Sequence, residues 1–311
     1  MKTSVNKPEQ DIKRLDVANA LAPRAYGKWL AWVITIFLVA DFLWILSQNQ
    51  NFQWSVVATY LIDPSVMRGL AVTLGLTVVA MVAGTLVGLL LAIMKISESL
   101  LLRKISGIYI WIFRGTPLLV QLIFWYNMST LFPQISITIP YGPTLGAWNT
   151  NEVITPLVAA LLGLALNEAA YMAEIIRGGL ISVDSRQAET AMAFGMRRSR
   201  ALGRIIIPQA MRTIVPPTGN QLISMIKATS LVSVIAMGDL LYSVQAIYNR
   251  TFEIIPLLMV AVLWYLLITS LLNAGQRVIE NYYARGENGY INSKKTEDQG
   301  LGHSDAKLEI K

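Results

Sequence analysis

The chain has 311 residues, of which 54% are hydrophobic and 14% charged, with a formal net charge of +7. A soluble domain carries about 25% charged residues, so this composition suits lipid rather than water. Cysteine is absent, which excludes disulfides, thiolate metal sites and cysteine nucleophiles. The single histidine, His303, has no second imidazole to share a metal with, so no metal centre is expected.

In chain order, residues 1–28 are polar and basic, and six apolar stretches follow. A helix needs roughly 20 such residues to cross a bilayer. The stretches run over Trp29–Leu46, Leu70–Met94, Ile108–Met128, Val153–Ile176, Ile214–Met237 and Ile254–Asn273. An all-α, polytopic membrane protein with six transmembrane helices is the expectation. The first stretch starts late and lacks a small-residue cleavage site before the polar Ser47–Gln50 run, so it reads as a retained helix and not a signal peptide. Gly75, Gly84, Gly88 and Gly163 fall in the second and fourth stretches, where small residues let helices approach closely in lipid. Ile135–Trp148, rich in Pro, Gly and Thr, reads as an irregular outer loop, a plug or docking surface. Residues 286–311 read as a disordered tail.

Lysine and arginine alternate from loop to loop. Six precede Trp29, three follow the second stretch, seven follow the fourth and six follow the last. The intervening loops hold only Arg68 and Arg250. Positive charge is retained on the cytoplasmic side. Both termini and the arginine-rich segment 187–208 are therefore expected on the cytoplasmic side, with the uncharged loops outside. The positive charge reports orientation, and no nucleic-acid partner is expected.

Segment 187–208 reads QAETAMAFGMRRSRALGRIIIP. Glu189, Thr190 and Ala191 are followed by Gly195 and, after nine intervening residues, by Ile205, Ile207 and Pro208. This pattern resembles the EAA motif of ATP-binding-cassette (ABC) importer permeases, with Thr190 for the first alanine and Ile207 for the usual leucine. Three more segments resemble the polar-amino-acid branch of that family. They are Phe113-Arg114-Gly115-Thr116-Pro117 through Gln121, Ala170-Tyr171 through Glu174, Arg177 and Gly178, and Lys227-Ala228-Thr229-Ser230-Leu231.

The resemblance covers residues 67–285 and implies the five-helix core of a type I importer; residues 29–66 add an N-terminal helix and an outer connection. It implies a permease subunit that forms the path for a polar amino acid or amino-acid derivative and catalyses nothing itself. ATP and Mg would be bound by separate ABC ATPase subunits. Further implied partners are a second permease copy or similar subunit, an extracytoplasmic solute-binding protein, the amino-acid substrate and membrane lipid. Consistent with this, the chain contains no GxxxxGK[ST] phosphate loop. The alternative is an ATP-independent secondary carrier or channel.

Candidate residues follow from both lines. Coupling to the ATPase is expected at Glu189, Thr190, Ala191, Gly195, Arg197, Arg198, Ile205 and Pro208. Glu189 would suit the positive start of a short helix, Gly195 a bend and Pro208 the return to the membrane direction. Asn167, Tyr171 and Glu174 share a helix face at i, i+4, i+7, as do Asn220, Ser224 and Lys227. A zwitterion needs an acceptor for its ammonium and donors for its carboxylate. Asn167, Glu168, Tyr171, Asn220, Gln221 and Ser224 are therefore candidates for the substrate path. Arg114, Glu174, Arg177 and Lys227 are assigned structural or gating roles.

Overall fold

The computed structural model describes the backbone over residues 26–138 and 144–305, and side chains over 29–136 and 146–283. The polar segment 1–25 and the last six residues lie outside the described residues. Two compact units divide at Gln50. The first is represented by helix α1 (Tyr26–Gln48), apolar along its length.

The second unit starts with the short helix α2 (Trp54–Leu61) and continues into α3 (Pro64–Ile96). Asp63 opens α3 by accepting from the Ser65 N–H at 2.7 Å, and Pro64 occupies the first turn, where its missing N–H costs nothing. Helices α4 (Leu100–Gly115) and α5 (Leu118–Tyr126) meet at 101°. A sharp kink needs a cause. Here Pro117 supplies it, because proline cannot continue the ladder of hydrogen bonds. The apolar stretch 108–128 is thus two helices joined at an elbow, not one continuous span.

Beyond α5 lie α6 (Met128–Leu131), an antiparallel hairpin of β1 (Gln134–Thr138) with β2 (Thr144–Asn149), and α7 (Thr150–Val153). The pairing sets Gln134 against Asn149 and Ile135 against Trp148. The segment expected to be irregular therefore contains a paired hairpin. Thr150 ties its base to the Phe132 carbonyl through Oγ1.

Helix α8 (Pro156–Ile181) packs on α3, α4, α5 and α11 and is the axis of this unit. After it come α9 (Ser185–Ala193) and α10 (Arg198–Ala201), a π-helical turn over Leu202–Ile206, and α11 (Ile207–Ala228). A 3₁₀ segment over Thr229–Ile235 ends α11. Helix α12 (Leu240–Thr251) then starts at 46° to the α10–Ile235 run. Asp239 caps α12, accepting from the Tyr242 N–H at 2.9 Å and the Leu241 N–H at 3.2 Å. Helix α13 runs from Ile254 to Asp305. Its backbone is helical across residues 286–305, where composition suggests disorder.

Four helices among the described residues are long and apolar enough to cross a membrane: Trp29–Gln48 within α1, α3, α8 and Ile254–Tyr283 within α13. The number becomes six only if each bent pair counts as one span. Two main apolar clusters hold the second unit. Leu76, Ala80, Leu122, Leu164, Met225 and Val232 join α3, α5, α8 and α11 to the 3₁₀ segment. Val57, Val66, Leu240, Val244, Leu257 and Val260 join α2, α3, α12 and α13.

Candidate functional site

The arginine-rich segment folds as helix, turn, helix. Asp184 caps α9, accepting from the Arg186 N–H at 2.9 Å while its carboxylate pairs with the Arg186 guanidinium at 2.6 Å. That guanidinium holds the Asp184 carboxyl below its ordinary range. Glu189 is the fifth residue of this nine-residue helix. The acid at the positive end is therefore Asp184, and the expectation that Glu189 sits near the start is corrected.

At the other end of α9 the chain reverses through Gly195, whose φ is +78°. The Met196 N–H returns to the Ala191 carbonyl at 3.0 Å and the Gly195 N–H to the Met192 carbonyl at 2.9 Å. These two bonds make a Schellman cap, in which glycine takes the left-handed position without steric cost. Ala191 is buried under the turn, whereas Phe194 is 85% exposed. Asp184, Thr190, Ala191, Phe194, Met196 and Ile205 line a cleft of about 370 Å³.

Arg197 immediately precedes α10, which leads through the π-helical turn into α11 without interruption. Pro208 lies in the first turn of α11, immediately after that turn. A proline removes one N–H and crowds the carbonyl four residues back, and the wider π geometry precedes it. Pro208 therefore does not mark a change of direction.

Farther along the chain lie the predicted path residues. Glu168, at the middle of α8, is only 3% exposed. Its Oε2 accepts from Gln221 Nε2 of α11 at 3.3 Å, while Oε1 has no hydrogen-bond partner among the described residues. Thus Glu168 and Gln221 are brought together, as the paired stripes suggest. Asn220, Ser224 and Lys227 lie on an exposed face of α11.

Asn167 is committed elsewhere, donating to the Phe113 carbonyl at 3.0 Å and to Gln121 Oε1 at 3.2 Å. Tyr171 stacks under Arg114, whose guanidinium carbon lies 5.2 Å from the ring centroid. Glu174 and Arg177 form an ion pair at 2.6 Å on one helix face.

Two polar groups escaped the sequence reading of the site. Gln121 is buried at the elbow and bonds the Phe113 and Thr116 carbonyls. Its signal was available: Pro117 strips Phe113 of a partner, and a nearby amide is the usual remedy. Asp239 is fully buried at the α12 start, beside Thr73, Thr229 and the Tyr265 hydroxyl. The Gly238-Asp239 pair at the end of an apolar stretch is a helix-start signal.

Residues 84–283 match the family described as "Binding-protein-dependent transport system inner membrane component". The chain belongs to this family. It is accordingly a permease subunit of an ATP-driven importer, which sets aside the reading as an ATP-independent carrier or channel. Among curated relatives, the permease is 38% identical to the arginine transport system permease protein ArgU of Corynebacterium glutamicum, over 86% of this chain and 84% of that one. It is 35% identical to the L-cystine transport system permease protein TcyB of Bacillus subtilis, over 70% and 86%.

Among solved structures it resembles an amino acid ABC transporter crystallised with histidines. The identity is 34% and the TM-score 0.60, covering 72% of this permease and all but 3% of that chain, which matches over 97%. The methionine transporter MetNI shares the fold, with a TM-score of 0.52 at 18% identity over 73% of this chain and 98% of that one.

Proposed function

We propose that this permease moves a polar amino acid or amino-acid derivative across the bacterial inner membrane, driven by ATP hydrolysis in separate ABC ATPase subunits. The observation that carries the coupling role is the α9–Gly195–α10 turn. It presents an aromatic side chain, Phe194, to solvent beside a cleft, with Arg197 and Arg198 next to it. An exposed Phe on a polar segment is a natural anchor for a partner's groove. Glu189, Thr190, Ala191, Gly195, Ile205 and Pro208 shape this turn and its mounting on α11. Both termini and this segment lie on the cytoplasmic side.

Substrate passes between α8 and α11. Glu168 offers a carboxylate oxygen for an ammonium group, and Gln221 holds the other oxygen. An ionisable side chain at the bilayer centre costs about 2.5–3.5 kcal/mol on insertion scales, so its retention there argues for use. Asn220, Ser224 and Lys227 form an exposed polar stripe on α11. That stripe is better matched by a second permease copy and an aqueous path than by lipid. Arg114, Tyr171, Glu174 and Arg177 position the helices around this path. The relatives named for arginine (ArgU) and cystine (TcyB) transport support a cargo with a zwitterionic amino-acid head. An extracytoplasmic binding protein delivers it, and ATP with Mg stays on the ATPase.

Reconstitution tests this reading. The permease, its ATPase and its binding protein, in vesicles with ATP inside, should take up the amino acid that the binding protein retains. Uptake that persists without ATP would overturn it.

A further inference from the structure

Pro117 has no N–H, so the Phe113 carbonyl lacks the partner that an unbroken helix would supply. Within a bilayer that carbonyl has no water to turn to. Two side-chain amides serve it instead: Asn167 Nδ2 from α8 and Gln121 Nε2 from α5, each at 3.0 Å. The Gln121 nitrogen also reaches the Thr116 carbonyl at 3.1 Å and Thr116 Oγ1 at 2.7 Å. Asn167 Nδ2 closes the ring by donating to Gln121 Oε1 at 3.2 Å. Thus the α4–α5 elbow is held by one amide of its own and one belonging to α8.

The direction of α8 makes this arrangement informative. From Asn167 the helix continues for about 21 Å to Ile181 at its rise of 1.5 Å per residue. Three residues, Ser182 to Asp184, then join it to α9. Much of the surface between α8 and its neighbours is apolar and non-directional, and tolerates small slides. A pair of hydrogen bonds does not, since the bonds weaken steeply with misalignment. One turn further along, Tyr171 grips Arg114, the last residue but one of α4.

We propose that the Asn167–Gln121 amide pair carries displacement of α8 to the Thr116–Pro117 elbow. Movement delivered at α9 then changes the angle between α4 and α5. Asn167 and Gln121 act as positioning residues rather than as ligands of the cargo. The proposal rests on α9 receiving force from the ATPase.

The absence of cysteine allows a direct test. Trp111 and Val120 are exposed on either side of the elbow. Spin labels on W111C/V120C would be measured by pulsed dipolar spectroscopy in the intact complex with its ATPase and binding protein, with and without trapped ATP. The distance should differ between the two states. In Asn167→Leu the difference should vanish, and uptake per ATP should fall about tenfold, the weight of one buried hydrogen bond. A distance unchanged by ATP in the labelled parent overturns the proposal without any variant having to fold.

Pro117→Ala restores an N–H for Phe113 and removes the need for a cap. The P117A/N167L double variant should therefore insert yet remain uncoupled. Recovery of coupling in that variant would mean that Asn167 only caps a carbonyl, which also overturns the proposal. ATP-driven uptake with a static elbow refutes the amide pair alone. Absence of ATP-driven uptake in the unlabelled complex removes the coupling reading along with it.

Discussion

Glu168 on α8 lies against Gly84 on α3 so closely that a β-carbon added to Gly84 would sit 2.8 Å from both Cβ and Cγ of the glutamate. The same β-carbon would sit 3.1 Å from the Ala165 carbonyl. The buried carboxyl is thus seated by a missing side chain on the opposing helix. Because the obstructing atoms are the root of Glu168 and not its flexible end, the helices themselves must yield. Gly84→Ala should destabilise the protein by about 1–3 kcal/mol, the usual cost of overpacking. Thermal unfolding of the detergent-solubilised permease measures it. Gly75, where nothing lies within 4 Å among the described residues, is the control, and Gly75→Ala should raise the transition slightly, because alanine is favoured over glycine in a helix interior by about 0.5–1 kcal/mol.

Glu168→Gln keeps the shape and removes the charge. If the carboxylate receives an ammonium group, the KM for uptake in reconstituted vesicles should rise about tenfold, equivalent to about 1.4 kcal/mol for a lost charged hydrogen bond. Unchanged kinetics would remove Glu168 from the path.

Gly195 and Phe194 separate conformation from contact. Gly195 has open space around it among the described residues, but its φ is +78°. Gly195→Ala should therefore cost about 1 kcal/mol through the left-handed backbone alone. Phe194→Ala should leave the unfolding transition unchanged, because the ring is exposed in this chain, and should abolish stimulation of the ATPase by the loaded binding protein. Stimulation at the parent level in Phe194→Ala would show that the turn is not the docking site.

The α9 cap has a pH signature. Arg186 holds the Asp184 carboxyl below its unfolded range. Its contribution is complete above the unfolded pKa of about 3.9 and is lost as pH falls through the lower folded value. Hydrogen exchange of α9 amides, corrected for intrinsic rates, should show unaltered protection from pH 7 to pH 5 and loss only in stronger acid. Loss of protection near pH 6 would contradict this origin.

Much of the architecture was legible because hydropathy reports directly on helices suited to a bilayer. Trp29–Leu46, Leu70–Met94 and Ile254–Asn273 each lie within a single helix, and Val153–Ile176 lies within α8 from Pro156 onward, its first residue ending α7. The two bent pairs were not legible from hydropathy. A window average over 108–128 cannot register one proline, although Pro117 turns the axis by 101°. Likewise Asp239 and its cap bond to Tyr242 begin a separate helix, α12, just beyond the stretch ending at Met237.

At the site, periodicity grouped Asn167 with Tyr171 and Glu174 on one face of α8. It could not show that the Asn167 amide is already engaged by Phe113 and Gln121, because that depends on a carbonyl of another helix. The hairpin of β1 and β2 escaped for a similar reason: its register is fixed by cross-strand partners, not by local composition.

The transfer of force at the α9–α10 turn is open to a single experiment. Ser199→Cys, exposed on α10 beside the turn, introduces a lone thiol in a cysteine-free chain and leaves Phe194 in place. A bifunctional reagent is then applied to inside-out vesicles holding the complete complex. The thiol should link to the ATPase subunit, and a membrane-impermeant thiol reagent added to right-side-out vesicles should leave it unmodified. Modification from the outside, or a complex that is active yet never links at this position, would contradict the coupling mechanism.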